Sequence, residues 1–457
     1  MDKQGLLIRA LKGRSEILNL IGKNTLALED AKAAFNYSRR FGNKFEQIES
    51  LLLMSNVYGS LSQYHKMRDY AKRSLRLAQK LRLKRGRAEG LNNIAYVYTI
   101  LGDYKKALRY NHLSLVLSRE IRDIRGIAES LNNIGYIYDC IGRYRDAIRY
   151  YQRCLKIREE LNDRQNKAYT LINIGYVYSM VNDYERALYY YQEALKIQEE
   201  IGDIEGKGTS LNNIGYIYRQ LGDYARALEN YKNALNLRRQ IGDRVGEANS
   251  FNNIAVVYAI SGEYKKAINY AQRSLRIKAR LGYQLEQGVT YNTLATIYLE
   301  NGDRENAEKS LKKALTIARR LRSKFLLMSV YANYGRLEIE RNRLFKARGY
   351  INALREIAGE LDSKSNYALS LCLLARVYAK MGDWQRSRRN FRKAIKFYRD
   401  LKEVLELGKV YYWYGEAALN KKTDARKYLE LACEIFMKIG AQGWLKKADL
   451  LCSRLKN

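Results

Sequence analysis

Apolar residues recur along this chain at helical spacing, and the spacing restarts at regular breaks. Leu211, Ile214, Ile217 and Tyr218 fall on one helical face, with Gly215 among them. Leu221-Gly222-Asp223 interrupts the pattern, and Tyr224, Ala227, Leu228, Tyr231, Ala234 and Leu235 resume it. A second break, Ile241-Gly242-Asp243, closes the unit. Each break suits a short helix–helix turn, because Gly tolerates positive φ and Asp is a good N-cap. No segment alternates apolar and polar residues over a strand's length, so the pattern predicts paired amphipathic helices.

The unit repeats. Leu91–Tyr98 (LNNIAYVY), Leu131–Tyr138 (LNNIGYIY), Leu171–Tyr178 (LINIGYVY), Leu211–Tyr218 (LNNIGYIY) and Phe251–Tyr258 (FNNIAVVY) recur every 40 residues. Weaker copies at Leu51, Tyr291, Tyr331, Leu371 and Tyr411 keep the phase, with slips of one or two residues expected near 350 and 421. Small residues mark close helix contacts: Gly135, Gly175, Gly215 and Ala255 in the first helix, Ala147, Ala187, Ala227 and Ala267 in the second. A mid-helix Gly costs about 1 kcal/mol against Ala, so close packing is the expected compensation. The recurring tyrosines, Tyr98, Tyr138, Tyr178 and Tyr218 among them, read as packing within this lattice.

The order of a large apolar residue, Gly or Ala, Tyr, then Gly-Asp-Tyr, then Ala, Tyr and Ala resembles the tetratricopeptide repeat over nearly the whole chain. The 40-residue form is similar to the longer repeats of kinesin light chain, of Pins-type polarity scaffolds and of many bacterial regulators. Two features depart from the pattern. The usual period is 34, and the usual proline closing the second helix is missing, the chain having no proline. Without that stop the second helix can run on to Ile201-Gly202 or Ile241-Gly242. The resemblance implies an all-α, right-handed solenoid of about eleven helix pairs plus a C-terminal capping helix near Gly443–Leu455. Residues 1–50 then form an N-terminal capping pair, 51–410 the repeat array, and 411–457 a degenerate repeat with its cap.

The resemblance also implies that the first helix of each pair lines a concave groove. By position this places Asn92, Asn132, Asn212, Asn252 and Asn292 there, with Ile172 interrupting the row. Tyr96, Tyr136, Tyr176 and Tyr216 follow one turn on, then Val256 and Thr296. An Asn amide offers donors and an acceptor to a peptide backbone, and tyrosine adds contact area at low entropic cost. The neighbouring Asn93, Asn133, Asn173, Asn213, Asn253 and Asn333 match a family position that ties adjacent repeats together. Cys140 and Cys372 map to the groove face, and Cys154 to a small core position.

Composition narrows the chemistry. At 47% hydrophobic and 29% charged residues the chain is neither disordered nor membrane-like, and no apolar run approaches a membrane span. The first twenty residues mix charges among apolar positions, so no signal peptide and a cytoplasmic location are expected. Five cysteines without CxxC spacing predict neither a disulfide framework nor a zinc site. Only His65 and His112 are available for imidazole chemistry. Gly202–Gly208 has three residues between its glycines where a phosphate loop needs four, no Ser/Thr after Lys207, and no preceding strand. No enzyme, metal or cofactor is expected.

Charge is the feature left over. The net charge is +35. Residues 51–90 hold ten Lys/Arg against two acids and 371–410 eleven against four, whereas 171–210 hold three against seven. Arg388, Arg389, Arg392 and Lys393 fall on a second helix, which the resemblance places on the convex side. Three readings stand: a solvated basic surface, a docking face for an acidic partner or nucleic acid, or contact with an anionic membrane surface, for which no lipidation signal speaks. The expected function is a non-catalytic protein–protein interaction scaffold holding a peptide or partner helix in its groove. The alternatives are polyanion binding at the basic ends and a sensor arm of a bacterial signalling system.

Overall fold

A computed structural model describes residues 3–20, 23–61, 63–419 and 422–455. Among the described residues the chain consists of 23 helices and the turns between them. They begin with α1 (Lys3–Leu20), α2 (Asn24–Arg40), α3 (Lys44–Ser60), α4 (Tyr64–Lys80), α5 (Lys84–Ile100) and α6 (Tyr104–Glu120). There follow α7 (Ile124–Cys140), α8 (Tyr144–Glu160), α9 (Arg164–Met180), α10 (Tyr184–Ile201), α11 (Ile204–Leu221) and α12 (Tyr224–Gln240). Next come α13 (Arg244–Ile260), α14 (Tyr264–Arg280), α15 (Gln284–Glu300), α16 (Arg304–Arg320), α17 (Lys324–Glu340) and α18 (Leu344–Glu360). The last are α19 (Lys364–Lys380), α20 (Trp384–Asp400), α21 (Val404–Ala417), α22 (Lys422–Lys438) and α23 (Gln442–Arg454). Odd-numbered helices up to α21 are the first members (A) of the pairs and even-numbered ones the second (B).

The period has a simple origin. Helices of 17 residues, such as α5 and α6, alternate with short turns such as Leu101–Asp103, and one pair with its two turns makes one repeat. Each turn closes without proline. At Leu101-Gly102-Asp103, Gly102 adopts φ +76° and its N–H donates to Thr99 O at 3.0 Å. Asp103 N–H donates to Tyr98 O at 2.9 Å, and the Asp103 carboxylate caps α6 by accepting from Lys106 N–H at 3.2 Å. The left-handed residue recurs at positions 102, 122, 142, 162, 182 and onward, whether the position holds Gly, Asn or Arg. The slip expected near 350 is absent, because α16 starts at Arg304 and α18 at Leu344, one full period on. The slip near 421 is present: α20 starts at Trp384 and α22 at Lys422, short of a full period.

Two compact units result, Met1–Asn213 with Leu237–Val245, and Ile214–Asn236 with Gly246–Asn457. Within each, alanines such as Ala147 and Ala187 in unit 1 or Ala267 and Ala307 in unit 2 are fully buried between helices. Tyrosine pairs stack inside the repeats, as in Tyr98–Tyr110 at 5.5 Å and Tyr178–Tyr190 at 5.5 Å between ring centroids. A cation covers one ring of each, Lys106 over Tyr98 and Arg186 over Tyr178. Cys154 is buried, as its position predicted. Between repeats runs a polar seam that periodicity did not show. Arg158 donates to Thr170 Oγ1, Ser210 Oγ to Gln198 Oε1 at 2.7 Å, and Lys278 Nζ to Thr290 Oγ1 at 3.1 Å.

Candidate functional site

In unit 1 the A helices α1, α3, α5 and α7, with Arg158 of α8, line an open cavity of about 510 Å³. Two residues of the expected asparagine row, Asn92 and Asn132, line it together with Asn93 and Asn133. The asparagines are ordered by one another. Asn173 Nδ2 donates to Asn132 Oδ1 at 3.2 Å, so the second Asn of one repeat holds the first Asn of the repeat before it. Asn92 Oδ1 accepts from Ser130 Oγ at 3.1 Å. The tyrosines one turn on are solvent-facing: Tyr96, Tyr136 and Tyr176 are 46%, 42% and 45% exposed, large values for aromatic side chains. Asn212 is half-buried on α11.

The cavity also gathers residues that sequence reasoning passed over. Glu49, Glu89 and Glu129 stand at one repeat position on α3, α5 and α7, joined by Lys12 and Glu16 of α1 and Arg158 of α8. Lys12 pairs with Glu46 at 2.6 Å and with Glu49, and the Arg85 Nε donates to Glu89 at 3.1 Å. Burial pushes the Glu89 and Glu129 carboxyls up; for Glu129, repulsion from Glu89 and Asp123 adds to it. The signal was available as a glutamate recurring once per repeat, but it was diluted by counting charge over whole repeats.

Unit 2 arranges the same face differently. Asn333 Nδ2 donates to Asn292 Oδ1 at 3.0 Å and to Thr296 Oγ1 at 2.9 Å, repeating the asparagine tie. Asn252 Oδ1 is buried without a hydrogen-bond partner. Tyr216 is half-buried; its hydroxyl accepts from Gln220 at 3.1 Å and Arg219 lies 5.0 Å from its ring. Further along, the tyrosine position is held by Arg336 and Arg376, which lie over the indole of Trp413 at 5.9 and 5.0 Å. Trp413 meets Trp444 of α23 edge-on at 5.7 Å. Lys447 covers Trp444 at 4.9 Å and donates to the Glu300 carbonyl at 2.6 Å. Gly443 abuts Gly262 so closely that a Cβ there would meet the Gly262 backbone nitrogen at 2.8 Å. The C-terminal helices thus cover part of this face. Cys372, expected on the groove, is fully buried in the core that contains Trp413 and Trp444, whereas Cys140 is exposed.

A second cavity, of about 700 Å³, opens in unit 2 between the turn at 221–226 and the α22–α23 turn, where Tyr218, Tyr224 and Ile439 meet. None of the expected groove residues lines it. Arg388, Arg389, Arg392 and Lys393 are exposed on α20 and form no ion pair among the described residues. No group of three or more His, Cys, Asp or Glu among the described residues could hold a metal ion. No helix of the described residues is long and apolar enough to cross a membrane.

A helical-repeat array with an open inner face defines a class of interaction proteins, and the comparisons agree. Residues 86–160, 142–200, 207–280 and 326–400 match the tetratricopeptide repeat family, and 289–320 match a second model of that repeat. The chain belongs to the tetratricopeptide repeat family. Among solved structures it is similar to a Rap protein complexed with Competence and Sporulation Factor, at 17% identity and a TM-score of 0.55, over 87% of this chain and 98% of that one. It is also similar to the apo form of the quorum sensor NprR from B. thuringiensis, at 16% identity and a TM-score of 0.52, over 75% and 98%. At these identities the likeness is one of fold. No curated protein matches the sequence.

Proposed function

We propose that this chain is a non-catalytic, cytoplasmic scaffold or sensor arm that binds a peptide or partner helix on the inner face of unit 1. One observation carries the reading: Tyr96 and Tyr136 are exposed one helical turn from Asn92 and Asn132, which line the cavity, and Tyr176 is exposed at the same position of the next repeat. Exposed aromatics beside ordered amides supply anchors and backbone hydrogen bonds at little entropic cost. Asn212 extends the row in sequence phase within unit 1 and belongs to the proposed contact set, while Tyr216, Asn252 and Asn292 hold the same repeat positions in unit 2 and are proposed as contacts on that unit's own face. A sensor role is in keeping with the fold relatives, one described as a quorum sensor and one as a Rap protein complexed with a factor. The test is affinity capture from native lysate, nuclease-treated, with wild type and Tyr96/Tyr136/Tyr176→Ala. The reading expects proteins or peptides that wild type retains and the variant loses, and it fails if capture ignores the tyrosines.

A second reading rests on the exposed cations of α20. Arg388, Arg389, Arg392 and Lys393, without acidic partners, form a face for an acidic protein or nucleic acid. Binding there would fall steeply with salt and with substitution of these four residues, and would be indifferent to the tyrosine row.

A further inference from the structure

The inner cavity of unit 1 runs against the charge of the chain that holds it. The protein carries +35 overall, yet Glu16, Glu49, Glu89 and Glu129 face this space against Lys12 and Arg158. The two local cations leave Glu89 and Glu129 uncompensated, Lys12 pairing with Glu49 inside the cavity and Arg158 bonding to groups outside its lining. Lys12 is held by Glu46 and Glu49, and Arg158 directs its guanidinium to the Asn166 carbonyl and the Thr170 hydroxyl. Glu16 and Glu129 make no ion pair among the described residues, and Glu89 has only the exposed Arg85. A separate observation concerns a donor. Asn92 is 7% exposed and its Oδ1 accepts from Ser130, but its amide nitrogen donates to no described residue. An amide held in place by Ser130, with its nitrogen unbonded, and under-compensated carboxylates therefore border one cavity.

We propose that this cavity receives a lysine or arginine side chain of an extended peptide, the cation seated between Glu89 and Glu129 and the Asn92 amide donating to the adjoining peptide carbonyl. This rests on the reading of the unit 1 inner face as a peptide-binding surface, and adds the class of peptide. A cation between two carboxylates relieves their mutual repulsion and their desolvation together, which a neutral side chain cannot do. The surrounding positive field repels cationic peptides from the rest of the molecule, so that attraction is confined to this cavity.

The experiment uses the full chain and two labelled probes, hexa-arginine and hexaglutamate, followed by fluorescence anisotropy at physiological salt. Hexa-arginine is expected to bind wild type and to lose about tenfold in affinity on Glu89→Gln/Glu129→Gln, while hexaglutamate is unaffected by that change. Absence of hexa-arginine binding, or equal binding to the double variant, overturns the proposal. A random peptide library selected on wild type separates it from the broader reading. Selected peptides that need Tyr136 but lack Lys and Arg, and ignore the Glu→Gln changes, refute the cation and leave the groove standing. Peptides indifferent to Tyr136 and to both glutamates refute the two together. Peptides rich in Lys or Arg that depend on both confirm the proposal.

Discussion

Gly175 and Tyr191 are shaped to each other: a Cβ added to Gly175 would lie 2.9 Å from two ring carbons of Tyr191. The same relation joins Gly135 to Tyr151 and Gly215 to Tyr231. Where the first position is Ala255 or Ala295, the second is Ala271 or Leu311. Size is thus exchanged across the A–B contact within a repeat, although Ala375 with Phe391 departs from the rule. Gly175→Ala is expected to destabilise unit 1 by about 2 kcal/mol through overpacking. Adding Tyr191→Leu, which copies the Ala295–Leu311 pair, should recover part of that loss. Urea denaturation of the two single variants and the double variant checks this, since independent sites would give additive losses.

Lys278 is 4% exposed and its ammonium donates to Thr290 Oγ1, a hydroxyl that also donates to the Glu286 carbonyl at 2.9 Å. Burial lowers its pKa from 10.5 to about 8. The unfolded chain then holds this proton up to about 10.5 and the folded chain only to about 8, so stability rises with pH across that window. Below it the buried charge costs on the order of 3 kcal/mol. Lys278→Met is expected to be more stable than wild type at pH 7, with the difference shrinking toward pH 10. A difference that stays constant with pH contradicts this account.

Cys433 on α22 and Cys452 on α23 hold their sulfurs 3.8 Å apart. A disulfide needs about 2 Å, a gap that side-chain rotation can close. Hydrogen peroxide, itself reduced to water, should therefore take one hydrogen from each thiol and join the two helices. Burial and the neighbouring thiol and Asp449 raise the Cys433 pKa, so the reaction should be slow at neutral pH and faster in alkali. Intact mass and peptide mapping read the cross-link, which Cys452→Ser must abolish. Oxygen addition to Cys433 without a cross-link is the contrary result.

Arg122 occupies the left-handed region at φ +53° in a position where other turns carry Gly. Arg122→Gly is expected to stabilise by about 0.5–1 kcal/mol, the relief of the Cβ clash less the added entropy of the unfolded chain. Gly102→Ala, at φ +76°, should shift stability the other way by about 1 kcal/mol or more. Denaturation midpoints moving in the same direction for both would contradict this.

The fold was legible because its determinants are local and periodic. Gly102-Asp103 and Gly222-Asp223 mark turns in the sequence, and the glycine at 135, 175 and 215 foretold the contact that the tyrosines fill. The site was legible in part. Asn92 and Asn132 do line the unit 1 cavity, but Glu89 and Glu129 gain meaning only when Lys12 is seen paired with Glu46 and Glu49 and Arg158 bonded to the Asn166 carbonyl. The covering of the unit 2 face had no periodic trace. Lys447 meets Glu300 although the two are far apart in the chain, and Trp444 meets Trp413 where the repeat has already degenerated. Cys433 and Cys452 escaped because a helical hairpin, not a CxxC motif, sets their separation.

Turns within a repeat and turns between repeats close on the same left-handed residue, and that identity makes the junctions interchangeable. Excising residues 123–162 would join the turn at Arg122 to a helix that already follows an equivalent turn at Asn162. The chain's length is in this sense quantised: an in-frame gain or loss of one whole module keeps the phase of helices and turns, whereas a gain or loss of a few residues breaks it. Such a molecule can lengthen or shorten its reading surface by whole rungs, and its evolution is expected to proceed in those steps.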